Sequence, residues 1–153
     1  MGIVLVGDAL AGERGKIIAR QACSATTVHT LKVPDVESHT ISLIEGKGIV
    51  FNEKWGAHLI YLTYTVDLIK GEATVRGYTQ YTFPDGSTYT SKWEGKNMGA
   101  GRGTAGSASS EGSWTFIKGT GRFEGIQGEG TYKSYILVPG QWYSDIEGQY
   151  TLP

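Results

Sequence analysis

Few side chains in this 153-residue chain stand where they could do chemistry. Glu45 is the candidate catalytic group, a carboxylate inside the apolar run HTISLIEGKGIVF (39–51). Burial raises a carboxyl pKa and makes a general acid, whereas on an outer face glutamate is merely solvated, its commoner fate. Both orientations are open, because Ile41, Leu43, Ile49 and Phe51 fall in phase with Glu45 and Lys47. Either that apolar face is covered in an oligomer, or Glu45 points into the core. His29, His39 and His58 are scattered without the convergent spacing a metal site needs, so no metal is expected. The single cysteine, Cys23, has no internal disulfide partner and only Arg20 as a basic neighbour, which argues against a nucleophile. The glycine-rich stretch GTGRFEGIQGEGTY (119–132) fails as a dinucleotide cradle: the next glycine of the fingerprint would fall at position 124, which is Glu124, and no helical pattern follows. No cofactor is expected.

What remains is recognition by aromatic surface, and that requires elements to hold the rings. Glycine is 23 of 153 and proline only 4, with 11% aromatics, a composition that fits a turn-rich all-β domain rather than a disordered linker. Eight segments rich in threonine, tyrosine, valine and isoleucine read as strands: 26–33, 39–51, 58–69, 73–83, 87–95, 112–119, 130–138 and 142–152. Eight sequential strands with short connections predict an antiparallel eight-stranded barrel, with a sandwich as the alternative. In VRGYTQYTFPDGSTYTSKWEG, Pro84-Asp85-Gly86 suits a three-residue hairpin loop that pairs Phe83 with Ser87 and, further along, Gly77 with Trp93. That register puts Gln80, Thr90, Tyr78, Lys92, Arg76 and Glu94 outside and Tyr81, Tyr89 and Trp93 inside. The same parity turns Trp114, Tyr132 and Trp142 inward and also Tyr64, with Asp67, Lys133, Asp145 and Glu147 left outside. Tyr81, Tyr89, Trp93, Trp114, Tyr132 and Trp142 are the expected ligand-binding residues, since ring faces with hydroxyl and indole donors suit a flat, partly polar molecule. A barrel this small can equally be filled by such side chains, so a cavity and a packed core both stand open. In the glycine-rich stretch 119–132, Phe123 and Ile126 are expected to anchor a tight turn, with Gly121, Gly125, Gly128 and Gly130 supplying left-handed positions and sharp bends.

A net charge of −1 and a pI near 6.3 supply no field to attract nucleic acid. No apolar run reaches the length of a membrane span. The expected organisation is one barrel domain over 26–153, preceded by a segment, 1–25, that reads as a degenerate signal peptide, a tail or an extra strand. Asp8 interrupts its apolar stretch and Lys16 and Arg20 follow it, so as written it directs nothing out of the cytoplasm. Small residues at Cys23 and Ala25 sit where a cleavage site would, which would make the protein periplasmic or secreted. Residues 95–112, two-thirds of them glycine, serine and alanine, have a flexible loop's composition, which fits a mobile connection or else a lid over one barrel mouth.

The stretch GSWTFIKGTGRFEGIQGEGTY (112–132) resembles the tail of the allene oxide cyclase and dirigent-like barrel superfamily, through Gly119, Thr120, Gly121, Phe123, Glu124, Gly125 and Gly128. TQYTFPDGSTY and the closing GQWYSDIEGQYTL extend the resemblance more loosely. It implies a small eight-stranded barrel with a cavity for an apolar ligand, in a homo-oligomer of two or three subunits, with bacterial members among the relatives. Cyclases of this type place a glutamate on an early strand, a role that here falls to Glu45; the aspartates and arginines of dirigent proteins have no residue-by-residue match. The resemblance implies a binding barrel for a small apolar or aromatic molecule, or else a cofactor-independent cyclase or isomerase of a flexible hydrophobic substrate, or an oligomeric barrel with a filled core.

Overall fold

A computed structural model describes residues 12–97 and 108–153. Eight strands follow one another: β1 (Glu13–Lys32), β2 (Thr40–Asn52), β3 (Gly56–Ile69), β4 (Glu72–Thr82), β5 (Thr88–Asn97), β6 (Ala108–Thr120), β7 (Gln127–Val138) and β8 (Gln141–Leu152). Each pairs antiparallel with the next, and β1 pairs with β8 to close the barrel. Among the described residues the single helical element is one 3₁₀ turn, Gly121–Phe123, and no helix is long and apolar enough to cross a membrane.

The first strand begins at Glu13, well before residue 26. Its early part pairs with β8 and its later part with β2, so the barrel could not close without it. Ile17, Ala19, Gln21 and Cys23 face the interior, while Lys16, Ile18, Arg20 and Ala22 face out. This alternation is hard to see in the sequence because Ile17 and Ile18 are adjacent and the alanines are small. Outside, Arg20 binds Asp145 of β8 through two hydrogen bonds, Nε at 2.6 Å and Nη2 at 2.9 Å, bracing the closing seam. Past a bulge between Ala25 and Thr27 the parity of β1 changes, and Val28 turns inward. Residues 1–11 lie outside the described residues, as do 98–107 of the stretch read as a connection or lid.

The β4–β5 hairpin has the expected register: Gly77 faces Trp93, Arg76 faces Glu94 and Thr82 faces Thr88. Gly86 closes the loop at φ 83°, a left-handed conformation open to glycine, and donates its N–H to the Phe83 carbonyl. In the glycine-rich turn, Phe123 and Ile126 are buried anchors. Gly121 and Gly125 have positive φ, whereas Gly128 and Gly130 do not; they lie in β7, where a side chain would run into β8 backbone.

The strands divide the interior into two unequal halves. At the end holding the β2–β3, β4–β5 and β6–β7 connections, Phe83, Phe123, Tyr89, Tyr150, His58 and Trp55 fill the bore with touching rings. At the opposite end the inward residues include Ala25, Ser42, Ser134 and Ser144, too small to meet across the bore. Half the barrel is packed and half is open, as the side-chain volumes dictate.

Candidate ligand cavity

The open half encloses a cavity of about 330 Å³, within the range of small-molecule sites. Its wall is built ring by ring. Trp93 of β5 packs against Tyr64 of β3 (centroids 5.4 Å) and against Tyr132 of β7 (5.7 Å, edge-on). Trp142 of β8 meets Tyr64 edge-on at 6.0 Å. Trp114 and Tyr81 form part of the floor and are themselves buried. Leu62, Val66, Val75, Ile44 and Ile146 supply the aliphatic remainder.

Internal hydrogen bonds fix several of these rings. Trp93 donates Nε1–H to Thr79 Oγ1 at 3.0 Å, and Trp114 donates to the Thr131 carbonyl at 3.3 Å. The hydroxyls of Tyr132 and Ser110 lie 3.4 Å apart, and those of Ser134 and Ser144 2.7 Å apart. Gln21 is the exception: it lines the cavity floor, is 7% exposed, and its Oε1 is buried with no hydrogen-bond partner. An unsatisfied buried amide is uncommon and costly, which marks this position as one where an incoming polar group would be stabilised.

No lining side chain among the described residues is charged. Burial pushes the Tyr64 phenol up to about 12, and it does the same for Tyr81 against the opposing effect of hydrogen bonds from Ser91 and Thr79. Burial also raises Tyr132. These phenols are neutral hydroxyls at ordinary pH, able to donate or accept a hydrogen bond but not to act as bases. Cys23, beside this wall on β1, is likewise pushed up to about 12 by burial and stays a thiol.

Five of the six expected aromatic residues line this one space: Tyr81, Trp93, Trp114, Tyr132 and Trp142. Tyr89 does not. It belongs to the packed half, between Phe116, Phe123 and Trp55, with its hydroxyl 3.1 Å from His58 Nε2. The ladder parity that turns Tyr89 inward says nothing about which half of the bore it reaches. Glu45 stands outside: Ile44 lines the cavity and Gly46 is buried, so the residue between them projects from the outer surface. The Glu45 alternative is thus resolved in favour of an exposed apolar face on β2. Tyr64, although read as inward, gained no site role from sequence, and Gln21 was hidden in a segment not assigned to the barrel. Of the histidines, His58 is in the packed half, His29 is exposed, and His39 is held at the rim between Asp35 (2.6 Å) and Asp67 (2.7 Å).

No protein-family model matches the chain, and no curated protein is matched by its sequence. Solved structures do match. A conserved protein of unknown function from Rhodopseudomonas palustris aligns at TM-score 0.61 and 11% identity, over 92% of this chain and 98% of that one. A pterocarpan synthase dirigent protein aligns at TM-score 0.55 and 12% identity, over 99% of this chain and 94% of that one. The eight-stranded dirigent-like barrel is therefore the fold, and identities this low speak to the fold alone.

Proposed function

We propose that the protein binds a small, neutral, apolar or aromatic molecule in the open half of the barrel. The observation that carries this reading is a cavity of about 330 Å³ with no charged lining residue among those described, walled by Tyr64, Trp93, Tyr132 and Trp142, with the unpartnered Oε1 of Gln21 at its floor. Ring faces favour a flat apolar body, and the absence of a charged lining residue among those described disfavours carboxylates and ammonium groups, which would be desolvated without a counter-charge. The likeness to a dirigent barrel is compatible with such a ligand.

A cyclase or isomerase would fold a flexible substrate against these rings, with Glu45 or a tyrosine donating a hydrogen bond. Glu45 lies outside, which leaves that reading only the neutral phenols of Tyr64, Tyr81 and Tyr132 as donors, with no carboxylate in the cavity among the described residues. Binding is accordingly favoured over catalysis.

Titration with 2-naphthol, followed by quenching of tryptophan fluorescence, tests the reading. Saturable quenching is expected in the wild type and should vanish in Ala25→Leu, which fills the cavity from its wall while leaving the circular dichroism unchanged. Quenching that never saturates, or that survives this substitution, would exclude the cavity as a binding site.

A further inference from the structure

We infer that the outer face of β2 packs against the β2 of a second copy across a twofold axis, Glu45 of each chain meeting Lys47 of the other. A closed barrel offers no free strand edge, so two copies must associate through faces. One face is suited to it. Ile41, Leu43, Ile49 and Phe51 of β2 are 40–58% exposed, and the cross-strand neighbours Leu59 and Tyr61 of β3 widen the stripe with exposures of 62% and 59%.

The order of residues along this stripe selects the symmetry. Outward positions of β2 read Ile41, Leu43, Glu45, Lys47, Ile49, Phe51, a sequence of apolar, apolar, acidic, basic, apolar, apolar centred on Gly46. A twofold axis lying in the contact plane and crossing the strand at Gly46 reverses one copy. It sets Ile41 on Phe51, Leu43 on Ile49, and Glu45 on Lys47, with the second charge pair formed by symmetry. An axis parallel to the strand would instead stack Glu45 on Glu45 and Lys47 on Lys47, a like-charge arrangement that costs free energy.

The charges nearby agree with this choice. Neither Glu45 nor Lys47 has an ion-pair partner in its own chain among the described residues. The flanking charges, Arg20 on β1 and Asp67 on β3, fall at the ends of the stripe and are already engaged by Asp145 and His39. The centre of the face thus carries two unpaired opposite charges in an apolar setting, at positions that one rotation brings together. The convex barrel surface confines contact to β2 and its neighbours, where the apolar side chains are. This inference is independent of what the cavity binds.

Sedimentation equilibrium of the full chain, from about 1 to 100 µM, tests it. A dimer is expected, and Leu43→Glu should leave only monomer. Glu45→Lys should raise the dimer Kd about ten-fold or more, and the double exchange E45K/K47E should return it to within about three-fold of wild type. All three variants change exposed positions, and circular dichroism verifies that each folds. A monomer throughout, a trimer, a dimer indifferent to Leu43→Glu, or a double exchange that fails to restore association would each overturn the proposal.

Discussion

Gly77 lies directly across the β4–β5 ladder from Trp93 and, on its other side, opposite Tyr64 of β3. The two rings meet at 5.4 Å over the place where Gly77 has no side chain. A Cβ at this position would overlap the Cβ of Tyr64 and the Thr63 carbonyl, so the cavity wall depends on glycine here for space rather than for backbone conformation.

Gly77→Ala is therefore expected to destabilise the fold by about 1–3 kcal/mol through overpacking. It should also weaken 2-naphthol binding, because Tyr64 must shift. Urea denaturation and the fluorescence titration, run on the same preparation, check both effects; an alanine variant equal to wild type in both would mean that the strands accommodate the methyl group.

Gln21→Leu should act in opposite directions on stability and on binding. Replacing an unsatisfied buried amide by an apolar group of similar size is expected to stabilise the empty protein by about 1 kcal/mol, raising Tm by roughly 2–4 °C. The same change should weaken a hydroxylated probe such as 2-naphthol more than its methyl ether. A lower Tm would indicate that the amide is satisfied in solution.

His39 is buried at the rim with a carboxylate on each ring nitrogen, Asp35 on Nδ1 and Asp67 on Nε2. The hydrogen bond to Asp35 is the largest cause of its raised pKa, with Asp67 adding to it against desolvation. Because the folded value exceeds the ordinary 6.5, the stabilisation is complete below pH 6.5 and is lost as pH rises through the folded pKa. Asp35, lowered mainly by the same bond, contributes above its ordinary 3.8 and loses that contribution as pH falls. Denaturation midpoints measured from pH 6 to 9 should decline in the wild type and flatten in His39→Gln.

His58 behaves in the opposite sense. Burial lowers its pKa to about 4, and its Nε2 lies by the Tyr89 hydroxyl while its ring stacks on Phe83 at 3.9 Å. The unfolded chain takes up this proton near pH 6.5 and the folded chain only near 4, so stability is full above pH 6.5 and falls between those values by about 3 kcal/mol. Urea midpoints from pH 7 to 4 should show this acid limb, and His58→Phe should shallow it; an unchanged slope would assign the limb to other groups.

Much of the fold was legible because closed β-structure leaves a period of two. Thr82 facing Thr88, Arg76 facing Glu94 and Gly77 facing Trp93 follow from one proline-glycine loop and the requirement that charges stay wet. Parity also turned Trp93, Trp114, Tyr132 and Trp142 inward, and four of the cavity's ring walls come from those residues. It failed for β2, where apolar and charged residues share one phase and no single-chain rule says which face is inside. It gave no assignment for the early half of β1, whose small residues blur the alternation.

Residue types and their alternation thus determined by themselves a succession of strands with aromatic rings on the buried face, since each strand must bury one face, a rule that a sandwich would meet as well; the pairing of β1 with β8 that makes it a barrel came from the tertiary structure. Only the tertiary structure decided that Tyr89 packs against His58 and Phe123 at the filled end, that Glu45 faces out, and that Gln21 reaches the cavity floor. The physical reason is that depth along the bore and the volume left between facing side chains depend on strand stagger and on which distant residues meet across the barrel. Local sequence periodicity carries neither quantity.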